Sequence, residues 1–260
     1  MAGHSFRHNV WRKRISIYTE LHILEMMSKQ VPREDLFTPI HKGIRSMIYE
    51  LGTRLQKADY TNLSATEAIV TQLKHNLQSA NSTCIVCMLH EHAGHEEESI
   101  FPQIAPHDSK VVDTLIQAHV EITRQVIEIS KVADELLLLK DSDQRMEMGA
   151  KLNAMTNNLF AYYLAHLNNE EATILPLTWK YLTDDQMRAI RAKIQMATPP
   201  ERYAEWMRWI LSSLNVNELV GMISGMKMAA PPQVLEKTMV LAEQCVDKDI
   251  WNTVKVRVSS

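Results

Sequence analysis

Between Val112 and Leu136 the chain sets Val112, Leu115, His119, Ile122, Val126, Ile129, Ala133 and Leu136 in steps of three and four without a miss. Such spacing returns to one face of a helix at every turn, so this segment buries its apolar side only as a long amphipathic helix. The same arithmetic recurs on both sides of it. Ile44, Ile48, Leu51 and Leu55 follow Thr38-Pro39, where Thr suits a cap and Pro the first helical position. Ser64-Ala65-Thr66-Glu67 reads as a capping box opening a further helix, expected to run to about Ile104 with a bend near Ser79–Thr83. After Asp141-Ser142-Asp143, Met148, Leu152, Met155, Leu159, Tyr162, His166, Glu170 and Ile174 fall in line until Pro176 bends or ends the helix.

Four long amphipathic helices joined by short loops predict an all-α fold, an up-down-up-down four-helix bundle. With 7 Gly and 9 Pro among 260 residues, fewer of both than a turn-rich β-sandwich or barrel needs, the composition favours helices. Residues 6–29 are expected to form a partly amphipathic N-terminal helix that stops at Val31-Pro32. Beyond residue 180 the helices shorten, opened by Thr183-x-x-Gln186, Pro199-Pro200 and Pro231-Pro232. The expected organisation is an N-terminal arm over 1–34, the bundle over 35–181 and a C-terminal helical appendage over 182–260.

A net charge of −3 gives no footprint for nucleic acid. The longest apolar run, Leu159 to Ala165, is far too short to span a bilayer. No apolar stretch follows the basic residues Arg7, Arg12, Lys13 and Arg14, so no secretory leader is expected. Three cysteines make no disulfide framework, which points to a cytoplasmic setting.

Each bundle helix carries a histidine on its apolar stripe: His41, His92, His119 and His166. One such histidine is ordinarily a satisfied core residue, but four in one core each need partners there. His92 and His166 also bring a carboxylate one turn later, Glu96 and Glu170, and residues four apart share a helix face. His92, His119 and His166 lie at similar depth from one bundle end, whereas His41 stands in the first turn of its helix and nearer that end. Four imidazoles and two carboxylates suit one or two first-row metal ions, with Fe or Mn favoured over Ca and Zn as an alternative.

Other motifs carry less. His90-Glu91-His92-Ala93-Gly94-His95 lacks the His-Glu-x-x-His spacing of a zinc protease, and no Glu-x-x-His of the ferritin type occurs. Cys84-x-x-Cys87 has no second pair and reads as core packing. His90, His95 and Glu98 read as a solvated or supporting face, and His22, His75 and His107 as surface or local packing. Tyr162 and Tyr163 lie within about one turn of His166. Either is placed to donate a hydrogen bond at a metal site, though packing at the core rim is the expected role.

The spans Asp35-Leu-Phe-Thr-Pro-Ile-His41, His92-x-x-x-Glu96-Glu97-x-x-Ile-Phe-Pro102, His119, and His166-Leu-x-x-Glu170-Glu171-x-x-Ile-Leu-Pro176 resemble a hemerythrin-like (HHE cation-binding) domain over about residues 36–180. The resemblance implies a bundle holding two non-haem Fe ions, with Glu96 and Glu170 as bridges and His41, His92, His119 and His166 as terminal ligands. Oxygen carriers of the family place a second histidine on the third helix where this chain has Thr123. The pattern is closer to the family's iron- and oxygen-sensing domains, including those attached to F-box and plant ubiquitin-ligase proteins. The ligand gap leaves a position for water, oxygen or a side chain such as Glu97 or His95. The expected function is therefore metal binding with oxygen, redox or nitric-oxide sensing, or iron handling. The expected partners are a small diatomic ligand or peroxide, and a protein at the C-terminal helices. A di-iron peroxidase or oxidase, and an interaction module without stoichiometric metal, stand as alternatives.

Overall fold

The computed structural model describes residues 33–78 and 85–259, and every regular element among them is a helix. The arm over 6–29 and the bend near 79–83 lie outside the described residues, as do the side chains of Cys84 and Cys87. Asp35–Ser260 form one compact unit.

Its helices begin where a side chain can satisfy their free N–H groups, though not always at the expected residue. In α1 (Thr38–Gln56), Thr38 is already helical, and Asp35 Oδ1 accepts from the backbone N–H groups of Phe37 and Thr38 at 2.9 Å each. An anionic cap also complements the helix dipole there. α2 (Leu63–Gln78) starts one residue before Ser64, so Asn62 replaces the expected box by accepting from the Ala65 N–H at 3.0 Å. Asp108 and Asp141 cap α5 (Ser109–Leu138) and α6 (Ser142–Tyr181) in the same way.

Between α2 and α5, α3 (Ile85–His95) opens into a wide turn at Glu96–Ile100 before α4 (Phe101–Ile104). The Phe101 N–H reaches back five residues to the Glu96 carbonyl, the hydrogen bond of a π-helix. Pro102 accounts for the widening: it has no N–H, and its ring crowds the carbonyl four residues earlier. That carbonyl, of Glu98, accepts instead from Lys193 Nζ at 3.2 Å.

Pro176 neither ends α6 nor separates it from the core. The helix continues to Tyr181, and Ile174, Leu175 and Thr178 on either side of the proline are buried. Apolar packing across the proline outweighs one missing hydrogen bond. The buried line of this helix also departs from the expected one, passing through Gly149, Leu152, Thr156, Leu159, Tyr163 and His166, while Tyr162 is exposed. Over 40 residues, small phase errors in a three-and-four reading rotate it off the true face.

The contacts close a ring: α1 packs on α6, α6 on α5, α5 on α2 and α3, and α3 on α1. Inside this helical bundle the apolar core has two parts. One gathers Ile44, Ile48, Leu51, Leu89, Ile122, Leu159 and Tyr163. The other gathers Phe37, Ile100, Phe101, Leu115, Ile174 and Met187. His41, His92, His119 and His166 fall between these two sets along their own helices, so a polar layer is held between apolar ones.

The later helices are α7 (Asp184–Ala197), α8 (Pro200–Ser213), α9 (Val216–Ala229), α10 (Pro232–Cys245) and α11 (Lys248–Ser259). The expected Thr183–Gln186 capping box opens α7. A third cluster, with Met207, Leu211, Leu219, Ala242 and Trp251, unites α8 to α11. α8 also lies on α1, where a Cβ on Gly43 would stand 3.2 Å from the backbone of Trp209. Its Trp206 joins the bundle core. No helix among the described residues is long and apolar enough to cross a membrane.

Candidate metal centre

All six residues singled out from the spacing converge in the polar layer. His41, Glu96 and Glu170 are fully buried, and His92, His119 and His166 nearly so. They form two overlapping groups, His41, His92, Glu96 and Glu170 in one, and Glu96, His119, His166 and Glu170 in the other. Within each group the candidate ligand atoms lie within 4.8 Å of one another. His41 reaches the same layer as the others: its Nε2 stands 3.1 Å from His92 Nε2. The second pair matches, with His119 Nε2 at 2.9 Å from His166 Nε2.

The carboxylates divide their oxygens between the pairs. Glu96 sends Oε1 to within 3.2 Å of His92 and Oε2 to within 3.5 Å of His119. Glu170 sends Oε1 to within 3.0 Å of His166 and Oε2 to within 3.5 Å of His41. None of these four buried oxygens has a hydrogen-bond donor in bonding geometry.

The outer nitrogens explain how the imidazoles are oriented. His41 Nδ1 lies 2.9 Å from Glu171 Oε1, and His119 Nδ1 lies 2.7 Å from Glu97 Oε1. A carboxylate only accepts, so both Nδ1 atoms carry a proton, and the nitrogen left to bind a metal in the neutral ring is the inward Nε2. The first glutamate of each Glu-Glu doublet thus enters the layer, and the second stands behind a histidine that has no carboxylate one turn later on its own helix. Arg45 extends one of these chains, its guanidinium donating to Glu171 at 2.8 Å and to Asn168 at 2.8 Å. Glu97 and His95 are in neither convergent group, and Thr123 is exposed, its hydroxyl donating to the His119 carbonyl at 2.9 Å.

Charge follows this geometry. Burial pushes His41 down, but Glu171, Glu96 and Glu170 outweigh it and hold the imidazole up at about 9. Burial likewise opposes Glu170, Glu96 and Glu97 at His119, which is held at about 10. His92 is pushed down by its burial to about 4. Burial would raise Glu96, yet His92, His119 and His41 hold its carboxyl well below the usual range. Without a metal, protons on the imidazoles supply the positive charge that balances the two carboxylates inside the layer.

The donor set fits a metal cation on that ground. Two Nε2–Nε2 pairs close to about 3 Å, and four buried carboxylate oxygens lack donors in bonding geometry, an arrangement that calls for positive charge among them, which a metal cation supplies. Sequence reasoning did not find Glu171 behind His41 or Glu97 behind His119. The signal was available in the repeated doublets Glu96-Glu97 and Glu170-Glu171, whose second members point about 100° away from the first. Of the other histidines, His107 stacks on Tyr181 at 3.8 Å and His90 is exposed, which fits local packing and surface roles.

Residues 35–178 match the hemerythrin HHE cation binding domain. The match spans more than half of the chain, and the chain belongs to that family. No curated protein and no solved structure matches it. Family and buried cluster together make it a cation-binding protein, iron being the family's typical metal.

Proposed function

We propose that the centre binds two non-haem Fe ions and serves as a sensor of oxygen, nitric oxide or redox state. His41 and His92 serve one ion, His119 and His166 the other, and Glu96 and Glu170 bridge them. The observation that carries this reading is the division of each carboxylate's oxygens between the two histidine pairs. Two imidazoles and two carboxylate oxygens give each ion four protein donors. An iron ion that takes six then has room for a small diatomic ligand or peroxide. When bound, the iron pair would supply electrons and open positions to such a ligand.

The protein's part is to hold the donors rigid, exclude water and carry a change outward. Glu171 and Glu97 fix the tautomers of His41 and His119, and the apolar layers keep the dielectric low on either side. Routes outward leave from residues next to ligands. Lys42 donates to Glu218 of α9 at 2.7 Å. Glu91 accepts from Arg202 Nε at 2.8 Å and from Trp206 Nε1 at 3.1 Å, both on α8. The C-terminal helices are therefore the surface offered to a protein partner, in a cytoplasmic setting.

The test is hydrogen exchange on the iron-loaded protein before and after exposure to oxygen or nitric oxide. A changed protection of α8 and α9 without sustained consumption of the gas is the expected result. Steady turnover of oxygen or peroxide would instead make it an oxidase or peroxidase. Iron-free protein with unchanged exchange would leave an interaction module.

A further inference from the structure

We propose that Tyr163 is the hydrogen-bond donor that this centre presents to a small ligand, and so the residue that sets its affinity for one. The inference rests on the di-iron reading above. Tyr163 lies one turn before His166 on α6, and its ring stands edge-on to that imidazole with centroids 5.8 Å apart. The residue is only 1% exposed, and its hydroxyl is buried with no hydrogen-bond partner in the protein. A buried hydroxyl without a partner is costly, and such groups persist where something else completes them. The neighbourhood identifies what that is. A phenol hydroxyl can donate one hydrogen bond, and this one meets no acceptor among the described residues. Beside His166 it is a donor left over at the edge of the centre, and a ligand rich in lone pairs bound there would complete it. Its neighbour Tyr162 has its side chain at the surface and serves as the control.

The probe is azide, titrated into iron-loaded wild type, Tyr163→Phe and Tyr162→Phe, with iron content and melting temperature measured on the same samples. Loss of one hydrogen bond to an anion predicts azide binding about tenfold weaker in Tyr163→Phe, with iron content unchanged. Tyr162→Phe should match wild type. Azide binding within twofold of wild type in an iron-replete Tyr163→Phe overturns the inference while leaving the di-iron reading intact. A visible phenolate-to-iron band in wild type, absent from Tyr163→Phe, also overturns it, because the oxygen would then be a ligand and no donor. If Tyr163→Phe fails to fold or to hold iron, resonance Raman of the wild-type azide complex in H2O and D2O decides. A deuterium shift of the iron–azide stretch supports the donor, and its absence overturns it. Absence of any iron in wild type would remove both readings together.

Discussion

Replacing Glu171 by Gln tests whether the second glutamate of each doublet holds a histidine in place. His41 is fully buried, and its Nδ1–H donates to Glu171 Oε1 at 2.9 Å, an oxygen shared with Arg45 at 2.8 Å. Gln keeps the length of the side chain and its acceptor oxygen but removes the charge. A hydrogen bond to a charged group contributes about 1.5–3 kcal/mol net, and a neutral one about 0.5–1.5. The difference, roughly 1.4 kcal/mol, is about tenfold in affinity, at the low end of the usual cost of removing an outer partner of a metal-bound histidine. Only the ion served by His41 and His92 should weaken. The assay is an anaerobic Fe(II) titration against a chromophoric chelator, resolving two sites. Arg45→Met is the control: it breaks a partly exposed ion pair and leaves the histidine's partner, so affinity should fall less than about threefold. Glu97→Gln should weaken the other ion by a similar factor. Unchanged affinity in both Gln variants, or equal weakening of both ions in Glu171→Gln, would refute the reasoning.

Further outcomes follow from the same geometry. Glu96→Ala and His166→Ala should each abolish stoichiometric metal uptake, read by elemental analysis; two metals per chain in both would sink the site assignment. His41 and His119 are raised above their unfolded values, so in metal-free protein their contribution is complete below about pH 6.5 and is lost as pH rises through about 9 and 10. Metal displaces those protons, so the metal-induced rise in melting temperature should grow from pH 6.5 to 8; a rise that shrinks with pH contradicts it. Gly149→Ala would place a Cβ 2.3 Å from the Tyr60 ring. It should cost about 1–3 kcal/mol in urea unfolding, and a neutral effect would show that the ring moves freely.

The convergence of the six candidate ligands was more legible in the sequence than the helix ends were. Spacings of four in His92–Glu96 and His166–Glu170 are local, and they fix a shared face wherever the helix goes. The caps failed by one to three residues because Thr38 and Ser64 are good caps that the chain uses inside the helix, with Asp35 and Asn62 taking their place. The wide turn at Glu96–Ile100 had no periodic signature, although Pro102 contained its cause. Pro176 misled in the opposite sense, since a lost hydrogen bond is visible in sequence and the packing that offsets it is not. Tyr163 was passed over for Tyr162 in the buried line of a helix long enough for that line to drift. The partners of Glu171 and Glu97 were illegible because His41 and His119 lie on other helices.

The proposed centre is a pair of iron ions held between two histidine pairs by two bridging carboxylates. Its most direct test is iron content per chain after anaerobic Fe(II) loading and desalting, with an absorption spectrum recorded on admission of air. The wild-type protein should hold about two irons per chain and gain near-ultraviolet ligand-to-iron absorption that Glu96→Ala does not develop. No stoichiometric iron, or the same spectrum from Glu96→Ala, would contradict it.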